Sequence, residues 1–222
     1  MKRIAFLIIA SFLIGRPQAY ALPDQESSVE HRDNISDVFM AIPDSLLPLL
    51  TERTRHHLVD FYQSHIEAKM RNRLGEYVRL DTLAADYLHL TLSASSEVAM
   101  KLLSTQTDTL VCMIQTVNAS VTDSRVKFFT KKWQSVGNIK FPNPRTSEFF
   151  PVVPDSSQTA MQQVQRSIDD LRFVQVTVDP AEPVFTLTLG IKMLDVDERK
   201  LAIRHLQALR YRWNGREFVD EK

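Results

Sequence analysis

Three of the chain's six histidines fall within RHHLVDFYQSH, Arg55 to His65, with Asp60 among them. Imidazole and carboxylate groups on one helix face could hold a divalent metal, and a His beside an Asp could act as a general base. At 100° per residue, His56 and Asp60 share a face at i, i+4, while His57 and His65 lie about 12 Å apart along the axis. One ion cannot take both of the latter from an unbroken helix. His56 and Asp60 are therefore the candidate ligand pair, with no third ligand in local sequence and no H-E-x-x-H anywhere. We read them as a surface pair and assign no metal.

Other catalytic arrangements have little material to use. Beyond residue 21 the glycines stand at 75, 137, 190 and 215, so no glycine-rich phosphate loop is available, and no G-x-S-x-G elbow occurs. Cys112, the one cysteine, lies in TLVCMIQTV, where apolar residues point both ways; this predicts a strand covered on both faces and a buried, inert thiol. Asp169-Asp170 and Asp197-Glu198 sit at expected helix ends, where capping or solvation accounts for them. No catalytic residue and no cofactor is assigned.

The elements that would position any site read as an α+β chain. Lys2 and Arg3, the apolar run Ile4 to Ile14 and Ala19-Tyr20-Ala21 predict a signal peptide over 1–21, too short to span a bilayer. Its removal takes three basic residues and no acids from a balance of 27 against 27, leaving a net charge of −3, which argues against nucleic acid as a partner. Residues 22–35 read as a flexible leader. Over 36–135 we expect two short helical turns broken by Pro43 and Pro48, then a helix from Glu52 to about Lys69 behind an N-cap at Thr51, with Leu58, Val59, Tyr62 and Ile66 as its buried stripe. Five strands follow, at 77–80, 86–92, 97–103, 109–117 and 124–130, and their short connections imply an antiparallel meander.

Residues 136–158, with prolines at 142, 144, 151 and 154, read as an irregular linker. A smaller unit occupies 159–222, either separate or sharing one core with 36–135: a helix over 159–171, strands at 173–178 and 184–189, a helix over 196–207 and a closing hairpin. Asp195 and Glu198 suggest a capping box. Asn214-Gly215 suggests a two-residue turn that pairs Trp213 with Arg216, Tyr211 with Phe218 and Arg212 with Glu217.

If the five strands alternate in phase, the more polar face of the first sheet collects Tyr77, Arg79, Tyr87, His89, Lys101, Arg125, Lys127 and Phe129. Cations among aromatics could take an anionic or sugar-like ligand, or a partner protein. A solvated face partly covered by the N-terminal helices is the plainer explanation.

FMAIPDSLLPLLTERTRHHLVDFY, NRLG, DYLHLTL, DSRVKFF and LRYRWNGREFV together resemble a family of exported proteins from Bacteroides-type Gram-negative bacteria known as a domain of unknown function. The resemblance spans nearly all of 36–219 and implies a periplasmic or envelope location, without implying an activity. It also implies apolar and acidic residues as common at positions 56 and 57, which agrees with the helical-wheel reading. In such a host, Asp followed by Ser or Thr and an apolar residue is an O-glycosylation motif. Ser45, Thr82 and Thr109 stand in such triplets. The reading is an exported, non-enzymatic interaction or binding module with an envelope protein or a glycan as partner. A small-ligand binder using the basic aromatic face is the second reading, and an envelope hydrolase the third.

Overall fold

In the computed structural model, which describes residues 34–221, the first element is a capped helix. Asn34 Oδ1 accepts the Ser36 N–H at 3.1 Å and starts α1 (Ile35–Met40). Ile35, assigned to the leader from sequence, is fully buried. The expected signal peptide and the leader as far as residue 33 lie outside the described residues. Thr51 caps α2 (Glu52–Gln63) as its position predicts, its Oγ1 accepting the Thr54 N–H. Between the helices, the buried Arg55 guanidinium donates to Met40 O, Leu50 O and Asp44 Oδ1, which fixes the proline-broken loop.

The second helix stops six residues before the expected end. His65 adopts φ 58°, and the N–H groups of Ile66 and His65 close back on Phe61 O (2.9 Å) and Tyr62 O (3.1 Å). This reciprocal pair satisfies the last carbonyls and turns the chain. Ile66 is therefore 57% exposed instead of lying in the buried stripe. The released residues form an additional strand, so the meander has six strands where sequence predicts five: β1 (Lys69–Arg71), β2 (Tyr77–Leu83), β3 (Tyr87–Ser93), β4 (Ser96–Ser104), β5 (Thr109–Asn118) and β6 (Thr122–Thr130). They pair antiparallel in chain order.

A second antiparallel sheet, also in sequential order, contains β7 (Val174–Val178), β8 (Val184–Leu189), β9 (Leu209–Trp213) and β10 (Phe218–Asp220). Two helices accompany it, α3 (Gln158–Asp170) and α4 (Val196–His205). Asp195 accepts the N–H groups of Asp197 and Glu198, but the Glu198 carboxylate accepts from Ser167 Oγ at 3.0 Å, tying α4 to α3 instead of completing a capping box. The closing hairpin also departs from expectation. Trp213 pairs with Phe218 across a four-residue loop, because Asn214 Oδ1 accepts the N–H groups of Arg216 and Glu217 and Gly215 takes φ 94°. Arg212 accordingly pairs with Glu182 and Glu221, not with Glu217.

Two apolar cores lie on opposite faces of the six-stranded sheet. On one, Ile35, Phe39, Leu58 and Val59 of the helices pack on Val78, Leu88, Met100, Val111 and Met113. On the other, Cys112, Ile114 and Phe128 pack with Phe149, Met161, Val164, Ile168, Val176, Phe185 and Trp213. Strand β5 serves both, which is why its sequence is apolar in both phases. The described residues fall within one compact unit.

Candidate functional site

Strand register decides where the eight residues of the predicted polar face lie. Tyr87 stands opposite Lys101, His89 opposite Ala99 and Arg79 opposite Thr91, so Tyr77, Arg79, Tyr87, His89 and Lys101 share one face. Arg125, Lys127 and Phe129 stand opposite Gln115, Met113 and Val111, on the other face. The eight are therefore not one surface. Phe129 is buried in the first core with Trp133, whose ring lies 5.4 Å away, while Arg125 and Lys127 are exposed.

Of the five that share a face, two are covered. Lys101 is 1% exposed, and its ammonium donates to Pro180 O at 2.7 Å and pairs with Asp86 Oδ2 at 2.9 Å. It latches the first sheet to the β7–β8 turn. Burial, with the charges of Glu97, Asp179 and Asp81, raises the Tyr87 hydroxyl above its ordinary range.

The rest form a solvent-facing strip over β1 to β3. Tyr77 is 53% exposed, and its ring is flanked by Lys69 Nζ at 4.4 Å and the Arg71 guanidinium carbon at 4.5 Å. Arg71 also donates to the Tyr77 hydroxyl at 3.3 Å. Alongside, Asp81 sits where β2 bulges and gathers a network. Its Oδ2 accepts from Thr91 N (2.9 Å) and Thr91 Oγ1 (2.7 Å), its Oδ1 accepts from Arg79 Nε, and His89 Nδ1 stands 3.2 Å from Oδ2. His89 Nε2 faces Glu97 Oε2 at 3.6 Å. Burial raises the Asp81 carboxyl, but the hydrogen bonds from Thr91 and Arg79 and the nearby cations outweigh it, leaving the group below its ordinary range.

The sequence matches the family described as "Protein of unknown function (DUF3256)" over residues 28–218. The chain belongs to this family. Among solved structures, the DUF3256 chain is similar to a domain of an uncharacterized protein from Porphyromonas gingivalis W83, at 25% identity and a TM-score of 0.72. The similarity covers 84% of this chain and 98% of that one. No curated protein matches.

In the DUF3256 chain, the Asp81–His89–Glu97 network turns no hydroxyl or thiol toward the imidazole. A triad needs a base nitrogen turned to a hydroxyl or thiol, and both His89 nitrogens face carboxylates. Cys112 is fully buried, and burial alone drives its thiol far above the ordinary range, so no thiolate is at hand. Among the described residues no cluster of three or more His, Cys, Asp or Glu could hold a metal ion. His56 Nε2 lies 4.0 Å from Glu52, not against Asp60, and His57 stacks on Phe61. No described helix is long and apolar enough to cross a membrane.

Of the triplet residues, Ser45 is exposed in the loop before α2, and Thr82 and Thr109 are half-buried on strands. Sequence reasoning missed Lys69, Arg71, Thr91 and Glu97 as parts of the strip. The signal was present in Lys69-Met70-Arg71, a polar-apolar-polar alternation concealed by extending the helix too far.

Proposed function

We propose that this protein is an exported, non-enzymatic binding module of the cell envelope that recognises an anionic group through the β1–β3 strip. The observation that carries the reading is the exposed Tyr77 ring with Lys69 and Arg71 against it. Cations held on an aromatic ring lose less side-chain freedom on meeting an anion than free lysines do. Support for export comes from the N-terminal basic, apolar and Ala-x-Ala pattern and from the resemblance to exported proteins. An acidic glycan or an acidic segment of an envelope protein would supply the anion.

The test is an array of sulfated and uronic-acid glycans with acidic peptides, read at two salt concentrations. Wild-type binding should weaken with salt, and the Lys69→Ser, Arg71→Ser double variant should bind at least about tenfold less tightly. Equal binding by the double variant would remove the reading. Ser45 is the triplet residue open to a transferase, so peptide mapping of host-derived protein should find any O-glycan there first.

A further inference from the structure

Sheet edges are the places where a fold must protect unpaired main-chain groups. The two sheets have four such edges among the described residues. Strand β6 is covered by the Phe129–Ser135 bridge and by the Val136 N–H to Phe128 O bond. Strand β7 gives the N–H groups of Val174 and Val176 to Asp123 Oδ1 and Ser124 Oγ of β6. Strand β1 bears the cations Lys69 and Arg71. The fourth edge, β10, is open.

The hydrogen-bond phase shows which groups are free there. Asn214 N–H bonds to Glu217 O and Glu221 N–H bonds to Arg210 O, in the register that pairs Arg212 with Val219. Alternation then turns the N–H and C=O of Phe218 and Asp220 away from β9. Beside this edge runs an open groove of about 800 Å³. The segment from Asn138 to Pro144 also lines it and forms no helix or strand. The N–H groups of Ile139, Lys140, Phe141 and Asn143 have no protein hydrogen-bond partner among the described residues. The residues that line the groove thus include unpaired main-chain donors and acceptors on β10 and unpaired main-chain donors between Asn138 and Pro144. Phe141, Tyr211, Trp213 and Phe218 contribute aromatic surface to its lining.

We propose that this groove takes an extended segment of a partner polypeptide, which adds to β10 as a fifth strand. Main-chain pairing would hold the segment, and alternate side chains would select it. One set of side chains meets the aromatic lining and should be apolar. The lining as a whole carries Glu148, Glu217 and Asp220 against Lys140 and Arg216, so basic residues fit best at the other positions. Asp220 stands opposite Tyr211 in the β9–β10 pair. This site is separate from the β1–β3 strip and does not depend on it.

The test titrates the full chain with an acetylated eight-residue peptide alternating Lys with Val or Phe, followed by amide NMR and hydrogen exchange. The amides of Phe218 and Asp220 should shift and exchange at least about tenfold more slowly. A peptide N-methylated at alternate residues should bind at least about tenfold less tightly, as should the Asp220→Pro variant. Proline at an outward edge position spares the β9 pairing, and an unchanged thermal midpoint would verify that the variant folds. Equal binding of the N-methylated peptide, or shifts confined to other residues, would overturn the proposal. Sedimentation showing that the chain self-associates through β10 would overturn it in favour of a second copy.

Discussion

His65 holds a left-handed backbone at φ 58°, a conformation that costs a residue with a Cβ roughly 1–2 kcal/mol. Glycine adopts it freely but loses more entropy on folding. His65→Gly should therefore stabilise the protein by about 0.5–1 kcal/mol, and His65→Val should destabilise it by a similar amount, both measurable by urea denaturation. A second residue-scale prediction concerns Asp81, whose folded carboxyl lies below the ordinary aspartate range. Its hydrogen bonds favour the ionised form, so its stabilising effect is complete above about pH 4 and lost as pH falls through the lower folded value. The stability gap between wild type and Asp81→Asn should be constant near neutrality and close in acid. A gap that persists unchanged at pH 2 would contradict this assignment.

At the scale of elements, the closing hairpin depends on one amide. Asn214 Oδ1 accepts two N–H groups, at 3.0 and 2.9 Å, and so sets a four-residue loop that turns Trp213 and Phe218 to the same side, with ring centroids 5.0 Å apart. Asn214→Ala should cost about 1 kcal/mol by loss of these exposed bonds. The change should appear as faster exchange at Arg216 and Glu217, with the other strands unaffected. Two helix caps were legible in sequence: Thr51 and Asp195 act where their residue types and spacing predict, whereas the Asn34 cap of α1 lay in the expected leader. The end of α2 was not legible, because a closing motif of this kind ordinarily carries glycine and His65 gave no such signal.

For the whole molecule, β5 joins two cores that contain one tryptophan each, Trp133 in the first and Trp213 in the second. If the shared strand couples them, unfolding is a single transition. In Trp133→Phe the remaining tryptophan reports the second core, and in Trp213→Phe it reports the first. Each fluorescence midpoint should coincide with the circular-dichroism midpoint of the same variant. Separated midpoints would mean that the cores unfold independently.

By itself, the sequence determined the α+β class, the antiparallel order of the strands from β2 to β6, the burial of Cys112 on a doubly covered strand, and the starts of α2 and α4. All of these follow from short-range periodicity and capping chemistry, which act within a few residues. The tertiary structure decided the relative phase of the strands, and with it the separation of Arg125, Lys127 and Phe129 from the other five residues of the predicted face. Alternation gives parity within a strand, but only pairing gives parity between strands, and β5 offers no cue because both of its faces are apolar. The same long-range packing buried Lys101 beneath a turn 79 residues away, brought His89 between Asp81 and Glu97, and left the edge of β10 open beside its groove.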